Sequence, residues 1–191
     1  MIVRQKIAAR VEPAHRDAVF AAIRVATTTV GGHDEFRIIH VSIQRTHLHL
    51  LVEANSGRAL TTGMCSFLIS AARQINRAIR GSGRVFDRYH ARSLTTPREV
   101  RNCLAYVLNN WRHHGEHRHP DASRWTVDKY STAIAFDGWK ELGRGALFAV
   151  PVDYAPLVTG RPRAWLLTTG WLRHGLLGVR ETPGAAGDDD A

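Results

Sequence analysis

Two short constellations in this 191-residue chain carry side chains able to do chemistry. The first is His47-Leu48-His49, inside THLHLLVEA. On an extended strand, side chains two apart point to the same face. Two imidazoles there can share one divalent metal. The same pattern also arises as two half-exposed histidines with no shared task. Leu48, Leu50 and Val52 already account for a buried face, so two adjacent ligands on the other face need a reason. The second constellation lies on a helix expected over 97–114. Val100, Cys103, Leu104, Val107, Leu108 and Trp111 form its apolar stripe. At about 100° per residue, Tyr106 falls about 130° from the centre of that stripe. Asn110, four residues on, stands one turn further along the same side, flanked by Asn102 and His113. A boundary tyrosine beside a solvated asparagine is the competing reading of the helix alone.

Brought together, the two constellations make a site for phosphoryl chemistry. His47, His49 and Asn110 offer two nitrogens and an amide oxygen, with open positions. That set suits Mg²⁺ or Mn²⁺ held mainly by phosphate and water, and neutral imidazole also admits zinc or nickel. Tyr106 is the candidate nucleophile. A phenol ordinarily titrates near 10, so a phosphate polarised by a divalent cation matters more than free phenolate. Attack on a phosphodiester would leave a covalent phosphotyrosine, and the stored bond could be resealed to another strand without ATP.

The elements that must position these residues can be read from the pattern. Residues 2–11 suggest a first strand, and Pro13 opens a helix that Gly31-Gly32 stop. Residues 36–44 alternate with Ile39, Val41 and Ile43 on one side. Residues 46–54 alternate again, and the short connection implies an antiparallel hairpin. Residues 57–80 read as a long helix ending at Gly81. A strand or extended arm follows over 84–96. Thr95 or Thr96 then caps the helix that carries Tyr106, with Pro97 at its first position and Glu99 three residues beyond Thr96. The order β-α-β-β-α-β-α predicts an α+β fold, a ferredoxin-like or RRM-like split βαβ with an antiparallel sheet. Helices packed on one sheet face would let the histidines meet Tyr106 and Asn110. Beyond a domain over 1–115, residues 116–124 read as a linker and 125–180 as a C-terminal extension. A short amphipathic helical segment is expected over 162–177, and a disordered tail over 181–191.

Composition bounds the partner. Lys and Arg number 26 against 17 Asp and Glu, a formal charge of +9. Residues 1–119 hold 18 of the basic and 8 of the acidic groups, so the excess lies with the candidate chemistry. Such an excess fits a polyanion, nucleic acid above all, although a solvated surface can also be basic. Arg outnumbers Lys 23 to 3, which suits phosphate and base edges but would equally follow from a GC-rich genome. No apolar run approaches the ~20 residues of a membrane span, and the start shows no apolar signal segment. The expectation is a cytoplasmic, nucleoid-associated protein, with Cys65 and Cys103 as reduced core residues. The candidate DNA contacts are Arg73, Arg77, Arg84, Arg88 and Arg92, with Tyr89 and His90 as stacking groups. Any one of these arginines alone reads more readily as a solvated charge, and the set carries the argument because it follows one helix and the arm after it.

At these residues the sequence resembles the single-tyrosine HUH transposases, the insertion-sequence and repeat-associated tyrosine transposase group. His47-Leu48-His49 matches the HUH pattern. Tyr106 and Asn110 in LAYVLNNW match the catalytic tyrosine and the metal-binding Gln or Asn four residues on. The likeness spans roughly 2–115. It implies a metal-dependent endonuclease and strand transferase acting on single-stranded or hairpin DNA, through a 5′-phosphotyrosine and a free 3′-OH. Family members work as homodimers or as monomers, so the resemblance leaves both open. Arg45-Thr46 stands where relatives commonly carry a small polar residue and Asn, and RVFDRYHAR is one residue shorter than the usual form. Neither departure removes a ligand or the nucleophile. A non-cleaving nucleic-acid-binding protein on the same scaffold is the alternative. An RRM-like RNA-binding module would place aromatic residues on the central strands, and residues 39–43 and 48–52 contain none.

Overall fold

The computed structural model describes residues 1–10, 12–30, 34–122, 125–142 and 150–183. Strands β1 (Ile2–Ala9), β2 (Phe36–Ile43), β3 (His47–Ala54) and β4 (Phe86–Leu94) form one antiparallel sheet in the order β2-β3-β1-β4. Helices α1 (Arg16–Val30), α2 (Gly57–Ala78) and α3 (Pro97–His113) complete the split βαβ arrangement that the pattern predicts. The first strand ends at Ala9 rather than at residue 11. Of the expected tail, residues 184–191 lie outside the described residues, as do Gly31 and Gly32.

The helices do not share one sheet face. Val3, Ile7, Val41, Ile43, Leu48, Leu50 and Val52 point to the face covered by α1 and α2. Ile2, Leu51 and Leu94 point to the opposite face, where α3 packs through Val100, Leu104, Val107 and Leu108. Alternation along the strands produces both layers, because His47, His49 and Leu51 are out of phase with Leu48, Leu50 and Val52. The expected single layer is therefore corrected to two, and the histidines sit on the α3 side.

β2 supplies both cores through a bulge. Its register against β3 shifts between Ile38 and His40. The extra residue breaks the alternation, so Ile39 joins the α3 core while Val41 and Ile43 remain with α1 and α2. The expectation that Ile39 shares a side with Val41 and Ile43 fails for this reason. Cys103 is buried, as expected, but Cys65 is exposed, because α2 buries Met64 and Phe67 and turns position 65 outward.

α3 is delimited by strong local signals. Thr96 accepts from the Glu99 amide at 3.2 Å, and Glu99 Oε2 accepts from the Thr96 amide at 3.0 Å, a complete capping box. Gly115, at φ +69°, ends the helix in a conformation that favours glycine.

The outer side of α3 is covered by the C-terminal segment. Trp139, Trp171, Leu177 and Val179 join its core. Asn109 donates to the Gly178 carbonyl at 3.0 Å and Arg112 to the Val179 carbonyl at 2.7 Å, while Arg101 pairs with Glu181. The same segment lines the β2 edge, where the Ile43 amide donates to Tyr130 O at 2.9 Å and the Gly160 amide to Ile38 O at 2.8 Å. Glu53 ties these parts together. It is buried against Arg37 at 2.8 Å and accepts from the amides of Arg163 and Ala164 at 2.8 and 3.0 Å. The amphipathic helix expected over 162–177 is reduced to α4 (Trp165–Thr168) and a 3₁₀ turn over Gly170–His174. At Gly170 a Cβ would lie 2.9 Å from the half-exposed Trp165 ring, which would have to shift to admit it.

Removing Glu53 leaves the buried Arg37 guanidinium without its carboxylate and two part-buried amides without an acceptor. Glu53→Ala is expected to lower unfolding free energy by about 3–5 kcal/mol, against about 1 kcal/mol for Thr96→Ala, read as denaturation midpoints in urea. His40 gives an acid signature. Burial pushes its imidazole down to about 4, and its Nδ1 lies 3.0 Å from Thr132 Oγ1. The unfolded ring protonates near 6.5, so the unfolded state binds the proton first. The stabilisation from the neutral ring is fully present above pH 6.5 and is lost as pH falls towards 4. His40→Asn should flatten the stability profile across that window, measured by urea titrations at stepped pH.

Candidate metal and tyrosine site

The hairpin and α3 converge on the histidine pair. In the sheet register His49 stands opposite Lys6 and Ser42, and His47 opposite Ala8. His49 is fully buried and His47 half-buried. Their Nε2 atoms face each other at 2.9 Å. That is hydrogen-bond distance, with one ring donating and the other accepting according to their tautomers. His47 Nδ1 lies 3.3 Å from Thr46 Oγ1. A proton held there leaves the Nε2 lone pair for a ligand role.

Tyr106 reaches the pair from the same chain. Its ring centroid lies 4.9 Å from that of His49, edge to face, and the Arg4 guanidinium carbon lies 5.1 Å from the same ring. The wheel expectation that Tyr106 stands off the apolar stripe holds, since the ring is half-buried while Val100, Cys103, Leu104, Val107, Leu108 and Trp111 are buried. Asn110, one turn on, is not solvated. It is fully buried, and neither its amide oxygen nor its nitrogen has a hydrogen-bond partner. His49 Nδ1 is also buried without one. Native interiors rarely leave such atoms orphaned. The carboxamide of Asn110 and His49 Nδ1 are thus buried donor or acceptor groups left open on this side of α3. Among the described residues no group of three His, Cys, Asp or Glu could hold a metal.

The electrostatics keep the imidazoles neutral. Burial, then the charges of Lys6, His114 and Arg16, push His47 down to about 4. Burial, His47 and Arg4 hold His49 well below its ordinary value. Both rings therefore offer lone pairs at neutral pH. Arg4 and Lys6, on β1, give the same face a positive field.

The candidate DNA contacts divide between two surfaces. His90 pairs with Lys6 and Arg92 with Arg4, so both lie on the histidine face, and both are exposed. Arg92 also pairs with Glu99 at 3.7 Å. Tyr89 pairs with Ile7 and faces the α1–α2 layer. Arg73 and Arg77 are exposed on α2, across the sheet from the histidines. Arg84 donates to the Phe86 carbonyl at 2.8 Å and lies 3.5 Å from Asp87. Arg88 lies on β4, with its side chain outside the described residues. Sequence reasoning missed Arg4, Lys6 and His114, whose ring lies 5.7 Å from that of His47. Arg4 and Lys6 alternate with Val3, Gln5 and Ile7, a signal that becomes informative only once strand register is known.

No family model matches the chain, and no curated protein matches it. Two solved structures are similar. One is a REP-associated tyrosine transposase bound to a REP hairpin, with a TM-score of 0.51 and 16% identity, covering 81% of this chain and 84% of that one. The other is a protein of Deinococcus radiodurans R1 described as a transposase, with a TM-score of 0.37 and 13% identity over 62% of this chain and 91% of that one. The second likeness is too distant to carry an argument. The first establishes a shared fold.

Orphaned polar atoms cost stability when nothing binds them. Asn110→Leu, similar in volume, is expected to raise the stability of the metal-free protein by about 1–2 kcal/mol. Asn109→Leu, which breaks the bond to Gly178, should lower it. Urea unfolding in EDTA checks both signs.

Proposed function

We propose that the chain is a transposase that cuts and rejoins single-stranded DNA at Tyr106, in DNA transposition. The observation that carries this reading is the placement of the Tyr106 ring beside His49 within one chain. The paired Nε2 atoms, the orphaned Asn110 and the shared fold support it. The related transposase is bound to a hairpin, and a hairpin-flanked single strand is the substrate class proposed here.

In this reading His47, His49 and Asn110 hold Mg²⁺ or Mn²⁺, which supplies charge neutralisation at the scissile phosphate. Arg4 and Lys6 draw the strand to the histidine face, and exposed His90 and Arg92 extend that surface along β4. The Tyr106 hydroxyl oxygen attacks phosphorus and the bond to the 3′ oxygen breaks. The 5′ phosphate is left on tyrosine, and the phenolic proton ends, in net terms, on the departing 3′ oxygen. Attack by another strand's 3′-OH reverses the step and reseals the backbone. Both constellations come from one chain, so the site does not require α3 from a second copy.

Incubation with a labelled hairpin-flanked single strand and Mn²⁺ should give a covalent protein–DNA adduct. Tyr106→Phe should abolish the adduct while DNA binding persists. EDTA or His49→Ala should lower its yield by at least about a hundredfold, as loss of a major electrostatic stabiliser does. Strand binding with no adduct across metals and hairpins would instead identify a non-cleaving binder on this scaffold.

A further inference from the structure

Asn109, Arg112 and Arg101 bond α3 to the segment that covers it. Arg16 bonds the end of α3 to the sheet. As the first residue of α1, it stands where β2 stops and β3 begins. Its Nε and one terminal nitrogen donate to the Ile43 carbonyl at 3.0 and 2.5 Å. Its other terminal nitrogen donates to Glu116 at 2.6 Å. Ile43 pairs with Leu48, the residue between the two histidines. Glu116 follows Gly115, the turn that stops the tyrosine helix. One guanidinium therefore spans the hairpin that carries His47 and His49 and the end of the helix that carries Tyr106.

The arginine is built into this place. The side chains of Arg16 and Glu116 are only 14% and 11% exposed, so the pair is not one of the screened surface bridges that contribute little. The guanidinium carbon lies 4.1 Å from the Tyr130 ring centroid. The buried Asp128 carboxylate lies 3.8 Å from the terminal nitrogen that serves Ile43. Asp128 accepts from the Tyr130 amide at 2.9 Å, and the Ile43 amide donates to the Tyr130 carbonyl at 2.9 Å. The fork cannot swing away without losing contacts on several sides. A lysine presents a compact ammonium rather than a planar fork, so it cannot reproduce both sets of bonds from the same place.

We propose that Arg16 is a positioning residue for Tyr106. By joining hairpin and helix end at a fixed separation, it sets where α3 lies along its own axis, and with that the height of the phenol beside His49. Tyr106 lies about two turns before the end of the helix, and a packed helix moves as a unit, so a slip at Glu116 reaches the phenol. A misplacement of about 1 Å can cost about a hundredfold in rate. The inference rests on the reading that Tyr106 attacks a strand beside the histidine pair, and Arg16 acts on that step through α3.

The test uses the full chain. Arg16→Lys and Glu116→Ala, both checked for native melting, undo the clamp from its two ends. With Mn²⁺ and saturating hairpin-flanked strand, single-turnover adduct formation should slow at least about tenfold in each. Strand Kd should stay within about twofold of wild type, because the loss falls on the reacting geometry and not on binding. The double variant should be no slower than the slower single one, since both remove the same contact. Glu116→Gln keeps an oxygen for Arg16 and should react at the wild-type rate. In the free protein the His49 ring protons feel the ring current of Tyr106, and in both clamp variants their NMR shifts should move towards those of Tyr106→Leu. Thr96→Ala separates positioning from stability, since it lowers melting from the other end of α3 and should leave rate and shifts unchanged. Wild-type His49 shifts and an unchanged saturating rate in both folded clamp variants overturn the proposal, as does an equal slowing in Thr96→Ala. A wild-type protein that forms no adduct overturns the cleavage reading instead, and the His49 shifts then decide the clamp alone.

Discussion

The site depends on the burial of α3 between two surfaces. One is the sheet face carrying Ile2, Leu51 and Leu94, and the other is the C-terminal segment carrying Trp139, Trp171, Leu177 and Val179. Helix propensity alone would not hold Tyr106 beside His49, since helical stability in proteins comes mostly from packing. The layers on both sides remove the freedom of α3 to roll or slide. Arg101, Asn109 and Arg112 add directed bonds to that segment, so the phenol is held at one height above β3.

The same enclosure explains why polar groups stay unpaired. Asn110 and His49 Nδ1 are cut off from solvent and left without partners. Such a cost is tolerable when a ligand recovers it, and functional sites are where proteins commonly break local rules. Burial also suppresses protonation of the histidines. Enclosure thus sets the spacing of the imidazoles, their protonation state and the position of the phenol together.

Much of this was legible in the sequence. The order of elements, the capping box at Thr96 and Glu99, and the phase of His47 and His49 against Leu48 and Leu50 follow from local rules. So does the displacement of Tyr106 from the apolar stripe. The two-layer arrangement was not legible, because strand alternation gives two faces without saying which helix covers which. Burial of Asn110 could not be foreseen either. Its neighbour Asn109 is tied to a segment some seventy residues later in the chain, and long-range cover leaves no periodic trace. Ile39 departs from the alternation because a bulge shifts phase without a Gly or Pro to announce it. The division of the basic residues likewise required the register, which sets His90 and Arg92 apart from Tyr89.

The irregularity in β2 also makes the two cores separable. Excising Ile39 would restore strict alternation, with Phe36, Ile38, Val41 and Ile43 all turned towards α1 and α2. The inner layer would keep its full complement of side chains. The outer layer would lose an apolar anchor beneath the tyrosine helix and the kink that turns the strand edge towards the later segment. A single-codon deletion would therefore spare the inner layer while loosening the outer one, so the placement of Tyr106 beside His49 is more vulnerable to a length change than the sheet that bears it.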